Sequence, residues 1–262
     1  MKSVLEAKYY IIDMDGVLWH GDRPVPGLVE FFELLNKRDI RFVLATNNAS
    51  KTPAQFRDKL ARMGVDVAEH QIITSAVATA AYLNEVKPQA KVFCIGEDGL
   101  VETLTRAGFI HCTEGADFVI VGMDRDLSWE KLALATLNVR AGARLIGTNR
   151  DATFPTERGL VHGNGAIVAA LEFATEVKAE IIGKPEPIMY IQAMQRLQAE
   201  PSRTLAVGDR LETDVLGAIR AGIASVFLLS GVSTLQQLAR CDYQPNFIYR
   251  DLQDFTRAIA SA

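Results

Sequence analysis

Two aspartates one residue apart, Asp13 and Asp15, follow the apolar run at 9–12 and precede Gly16. Such a run reads as a buried strand. Alternate residues of a strand share a face and a glycine lets the chain turn sharply, so the two carboxylates are expected to converge on one small volume. Like charges that close repel unless a proton or a cation separates them. The spacing therefore predicts an acid/base pair beside a divalent metal ion.

Further polar clusters end apolar runs in the same way. Thr46-Asn47-Asn48 follows the run at 41–45 and precedes a helix expected from Thr52-Pro53, a place where a hydroxyl, amides and backbone N–H groups can hold anionic oxygens. Lys184 follows Ile181-Ile182-Gly183 and is kept from helical geometry by Pro185. Asp209 follows the run at 205–207 and Gly208, and Asp214 stands five residues further on. Asp13, Asp15 and Asp209 make an all-oxygen set suited to Mg²⁺, whereas four dispersed histidines give a zinc site little support. A carboxylate nucleophile, a second carboxyl, a hydroxyl, an ammonium and a metal are the parts of phosphoryl transfer. In that reading Asp13 attacks phosphorus and Asp15 gives its proton to the leaving oxygen, then takes one back from water.

The elements that must position these groups are short β-branched runs at 9–13, 41–45, 92–95, 118–121, 144–146, 180–182, 204–207 and 225–228, separated by segments of helical period. This pattern predicts an α/β fold with a doubly wound, Rossmann-like parallel sheet. Apolar residues at 28, 31, 32 and 35 behind Pro26-Gly27 predict a helix over 28–37, and Ser233-Thr234-Leu235-Gln236 resembles a capping box. Residues 91–148 form an α/β series without any of these polar clusters. The expectation is a discontinuous catalytic core, 1–78 and 182–262, with an inserted α/β cap at 79–181.

At 262 residues, 48% hydrophobic and 23% charged, with a formal charge of −4, the composition is that of a globular protein without a basic stripe for a nucleic-acid polymer. No apolar run approaches a membrane span, and three widely spaced cysteines fit buried thiols in a reducing compartment, so the expected location is cytoplasmic. Trp129 and Tyr190 read as packing residues, and Gly163-Asn164-Gly165 as a turn opening a helix.

Each cluster alone has a plainer reading as a solvated turn, a helix cap or a surface charge. Together the order Asp13-x-Asp15-Gly16-Val17-Leu18, Thr46-Asn47-Asn48, Gly183-Lys184-Pro185 and Gly208-Asp209-Arg210-x-x-Thr213-Asp214 resembles the four motifs of the haloacid dehalogenase-like hydrolase superfamily. The large insertion and the wording of the second and third motifs resemble its NagD-type branch of sugar-phosphate, nucleotide, phosphoglycolate, pyridoxal-phosphate and nitrophenyl-phosphate phosphatases. The resemblance implies that Asp15 meets Mg²⁺ through its backbone carbonyl and that Thr46, Asn47 and Lys184 hold the phosphoryl oxygens. It also implies that Asp214 supports the metal from behind its ligands. True dehalogenases of the family lack the second carboxylate, which argues against dehalogenation. The stretch 147–156 resembles the family's substrate-facing loop, where Arg150 and Phe154 would meet the leaving group, and Asn48 of the second motif is a further expected specificity residue. The expected substrate is a small phosphate ester. A phosphotransferase or mutase, and a non-catalytic phosphometabolite-binding protein, are the alternatives. A homodimer through the cap is left open, since no heptad or apolar patch in the sequence specifies one.

Overall fold

The computed structural model describes residues 1–156 and 158–261. The chain divides into two compact units. Met1–Thr46, Ala54–Ile73 and Lys184–Ala262 form the first, and Asn47–Pro53 with Thr74–Gly183 form the second. The division falls a few residues from the expected limits, because Thr74 caps the helix Ser75–Val86 by accepting from the Val77 N–H at 3.2 Å. Residues 47–53 join the second unit through the Asn47 carbonyl, which accepts from Ser75 Oγ at 2.6 Å and Asn149 Nδ2 at 2.8 Å.

The first unit is built on a six-stranded sheet in the order Phe247–Tyr249, Ala224–Leu228, Thr204–Gly208, Tyr9–Ile12, Arg41–Thr46, Ile72–Thr74. The Tyr9–Ile12 strand is central. It pairs in parallel with Arg41–Thr46 on one side and with Thr204–Gly208 on the other. Earlier strands of the chain lie on one side of it and later strands on the other, the reversal of strand order that opens a crevice at the carboxyl ends of such sheets. Buried aromatics fill the space under the sheet, with Tyr10 and Phe31 both against Phe255 at 5.9 and 6.0 Å between ring centroids. The helix Leu28–Lys37 buries Leu28, Phe31, Phe32 and Leu35 on one stripe, as its spacing predicts, and starts from Gly27 in the left-handed region at φ 79°.

The second unit has its own five-stranded parallel sheet, in the order Glu180–Ile181, Arg144–Gly147, Phe118–Val121, Lys91–Ile95, Ile110–His111. Its separate core gathers Ile95, Val119, Val121, Leu145, Val168 and their neighbours.

Some local expectations shift. The capping box pairs Thr234 with Gln237 rather than starting at Ser233, whose hydroxyl instead accepts from the Leu211 N–H at 3.1 Å. Trp129 is not a packing residue but 79% exposed, since it stands at the first position of its helix, just after the Ser128 cap. Tyr190 is buried and donates to the Asp214 carbonyl at 3.1 Å. The three cysteines are free and half-buried. Among the described residues no helix is long and apolar enough to cross a membrane.

Candidate active site

Parallel register brings the polar clusters of the first unit to one sheet edge. Ile12 lies level with Leu44 and with Val207, and the Asp13 N–H donates to the Val207 carbonyl at 2.8 Å. The residues just beyond, Asp13, Thr46 and Asp209, therefore leave neighbouring strands at the same end. Carboxylate oxygens of Asp13, Asp209 and Asp214 lie within 4.8 Å of one another. Lys184 reaches the same place, where its ammonium donates to Asp13 Oδ1 at 2.5 Å, Asp214 Oδ1 at 2.7 Å and the Ala45 carbonyl at 3.0 Å. Thr46 is buried beside them at its strand's last residue.

Three buried carboxylates around one ammonium leave the cluster short of positive charge. Burial pushes the Asp13 carboxyl well above its usual range, with Lys184 pulling it partly back. Burial pulls the Lys184 ammonium down, but Asp13 and Asp214 outweigh this and hold it well above its ordinary value. Asp209 is pushed up to about 7, first by burial and then by Asp214. A cation would relieve each of these shifts in the carboxylates.

The residues present fit such a cation. Asp209 Oδ2 accepts from the Val232 N–H at 2.7 Å, but its Oδ1 is buried with no hydrogen-bond partner among the described residues. A buried acceptor left in this way is costly unless something outside the chain satisfies it. The space beside it is kept by glycines. Gly16 stands at φ +90°, and a Cβ there or at Gly231 would collide with the Asp209 carboxylate. All donors are oxygen, which suits a hard divalent ion such as Mg²⁺.

Asp15 is placed differently from the residue-spacing expectation. Its carboxylate is not one of the three grouped oxygens; Asp214 supplies the third instead. The chain leaves the strand at Met14, whose carbonyl accepts from the Leu18 N–H at 2.8 Å, while the Gly16 N–H donates to the Trp19 carbonyl at 2.9 Å. Within a turn alternate residues no longer share a face. The Asp15 side chain is exposed, and its Oδ1 accepts from Trp19 Nε1 at 2.8 Å. Asp214 is brought in by a turn in which its Oδ2 accepts from the backbone of Asp209 and Arg210 at 3.2 and 3.1 Å.

The other expected site residues belong to the second unit, where each has local partners. Asn47 Nδ2 donates to Asp151 Oδ1 at 3.0 Å, and Asn48 Oδ1 accepts from the Ser50 N–H and hydroxyl at 2.9 and 2.7 Å. Arg150, expected to meet an anionic leaving group, instead grips Glu172 with two bonds of 2.5 and 3.1 Å, because that 8%-exposed carboxylate needs a counter-charge. Arg150 correspondingly holds the Glu172 carboxyl below its usual range. Phe154 is half-buried and lies 5.6 Å below the guanidinium of Arg125, itself clasped by Glu97.

Sequence reasoning missed Trp19 and the 231–233 loop that cradles Asp209, where the Ser233 N–H also donates to the Asp209 carbonyl at 3.1 Å. Trp19 carried a usable signal, standing four residues past Asp15 across a glycine turn. The loop carried none, for its contact is made at a distance of over twenty residues.

A parallel α/β sheet whose strand ends gather three carboxylates and a lysine defines a class of hydrolase. A family model described as haloacid dehalogenase-like hydrolase matches residues 10–110, and a second, HAD-hydrolase-like, matches 181–255. An acid sugar phosphatase of Staphylococcus aureus is 40% identical over 94% of this chain and 96% of its own. Among solved structures, a 4-nitrophenylphosphatase from Thermotoga maritima superimposes with a TM-score of 0.94 at 33% identity, covering 98% of both chains. NagD from E. coli K-12 does so at 0.88 and 36%, covering 94% of this chain and 97% of that one. The chain belongs to the haloacid dehalogenase-like hydrolase family, in its NagD-type branch.

Proposed function

We propose that the protein is a Mg²⁺-dependent phosphatase that hydrolyses monoesters of small phosphorylated metabolites through an aspartyl-phosphate at Asp13. The observation that carries this reading is the orphaned Asp209 Oδ1 inside a carboxylate trio that also contains the Lys184-bound Asp13. Relatives that include an acid sugar phosphatase and a 4-nitrophenylphosphatase support a sugar phosphate or similar ester as substrate, with 4-nitrophenyl phosphate as a laboratory one.

In this mechanism Lys184 steers Asp13 and neutralises phosphoryl oxygens, with Thr46 as a further donor. An Asp13 carboxylate oxygen attacks phosphorus, the bond from phosphorus to the leaving oxygen breaks, and that oxygen takes the proton of the Asp15 carboxyl. Asp15, now a carboxylate, accepts a proton from water as the water oxygen attacks phosphorus. The bond to Asp13 breaks and inorganic phosphate leaves. Asp13, Asp209 and Asp214 would hold Mg²⁺, Asp214 at least through its neighbours, and the bound ion supplies neutralisation of charge between carboxylate and phosphate. Choice among leaving groups is assigned to the second unit, at Phe154, so Phe154→Ala is expected to change kcat or KM for some ester in a panel.

The test is the stereochemistry of hydrolysis at phosphorus, followed with an ester made chiral by oxygen isotopes in water enriched in a third isotope. Two successive in-line displacements, first by Asp13 and then by water, retain configuration. Inversion, the outcome of direct attack by water, would refute the covalent route. Steady phosphate release from 4-nitrophenyl phosphate, lost in Asp13→Asn, separates an enzyme from a binding protein. Alcohol acceptors that fail to capture phosphate separate a hydrolase from a transferase.

A further inference from the structure

The indole of Trp19 is fully buried, yet its only polar atom points at an exposed carboxylate. Trp19 Nε1 donates to Asp15 Oδ1 at 2.8 Å. The ring is held by two residues of one helix. Phe56 stacks along it with centroids 6.3 Å apart and planes 15° apart, and the ammonium of Lys59 lies 4.3 Å from its centroid. Lys59 is buried to 8% exposure, anchored by a 2.7 Å bond to the Gly21 carbonyl at the tip of the hairpin formed by Trp19–His20 and Arg23–Pro24.

We propose that Trp19, backed by Lys59, is the positioning residue of the general acid: its N–H occupies Asp15 Oδ1, sets the carboxyl's orientation and leaves Oδ2 to carry the proton to the leaving oxygen. The physical case has three parts. An exposed aspartate otherwise samples several rotamers, whereas a donor on an immobile ring selects one. An indole N–H only donates, so it cannot take the proton itself. A cation over the ring face draws electron density from the indole and strengthens the N–H as a donor. Lys59 thus couples the helix Pro53–Arg62 and the hairpin tip to the acid without touching it. The inference rests on the acid/base role proposed for Asp15.

Aryl phosphates separate this role from mere packing, because 2,4-dinitrophenolate leaves without a proton and phenolate needs one. The readout is the ratio of kcat/KM for 2,4-dinitrophenyl phosphate to that for phenyl phosphate, measured with Mg²⁺ on the full chain. General acid catalysis contributes about 10²–10⁴-fold, so loss of orientation is expected to raise this ratio about tenfold in Trp19→Phe, with the change in kcat rather than KM. Lys59→Met should raise it in the same direction, and Lys59→Arg, which keeps a cation over the ring, should restore it. Circular dichroism melts establish that each variant is folded, and the Lys59 pair carries the test if Trp19→Phe does not fold. A ratio unchanged in the folded variants, even with both rates lowered, overturns the positioning role. Asp15→Asn distinguishes the two levels. If its ratio rises while those of Trp19→Phe and Lys59→Met do not, only this inference fails; if its ratio stays unchanged, the acid role of Asp15 fails and this inference with it.

Discussion

Lys184→Met would leave two nearly buried carboxylates, Asp13 and Asp214, facing each other without their shared cation. Breaking a buried ion pair from one side costs about 3–5 kcal/mol, so urea melts of the metal-free protein should lose an amount of that order. Turnover of 4-nitrophenyl phosphate should vanish as well. Asp209 sets a pH dependence whose sign follows from its raised value. Unfolded, the carboxyl titrates near 3.8; folded and without metal, at about 7. The native state holds the proton more tightly, so stability from this group is full below about pH 4 and is lost as pH rises through about 7. Metal-free melts should therefore weaken over that interval. On the proposed binding of Mg²⁺ at Asp209 the ion displaces the same proton, so calorimetric Mg²⁺ affinity should climb with pH over it, and a flat profile would show that Asp209 is not a ligand. Asp13, Lys184 and Asp209 were legible as residues because each stands at the end of an apolar run, and Asp214 only through its spacing from Asp209. The pairing of Arg150 with Glu172 was not, for nothing local to Arg150 reveals an acid that lies twenty-two residues away on a helix.

At the scale of elements, the turn after Met14 carries more chemistry than its length suggests. Gly16→Ala would strain a residue at φ +90° and drive a Cβ into the Asp209 carboxylate. The expected result is weakened Mg²⁺ binding and turnover in a protein that still folds, readable by calorimetry beside a melt. Thr234→Ala removes the hydroxyl that accepts from the Gln237 N–H at 3.2 Å, and should cost about 1 kcal/mol without altering kcat. The long parallel strands and the Leu28–Lys37 helix were readable because buried runs and a 3.6-residue period leave clear patterns. Ile72–Thr74, Ile110–His111, Phe247–Tyr249 and the two antiparallel hairpins were not, since two to four residues hold too few alternations to mark a strand. The same limit explains Asp15. A strand read one residue too long, to 13, carries its alternation into a turn where it no longer applies.

Across the whole molecule, the six-stranded and five-stranded sheets each pack their own hydrophobic residues, which implies that each unit opens on its own terms. Leu145→Ala, in the core of the second unit, should cost about 2–5 kcal/mol locally. Deuterium uptake should rise in the strands Phe118–Val121 and Arg144–Gly147 while Tyr9–Ile12 keeps its protection. Equal loss in both would mean a single cooperative body. By itself the sequence determined the parallel α/β class and which acidic and basic side chains stand at the ends of its strands, because burial period, strand-end position and side-chain chemistry are all properties of short stretches of chain. Only the tertiary structure decided that Asp214 rather than Asp15 completes the carboxylate trio, that Arg150 is committed to Glu172, and that Trp19 grips Asp15. Those outcomes depend on how turns aim side chains and on partners brought together by folding, and spacing along the chain encodes neither.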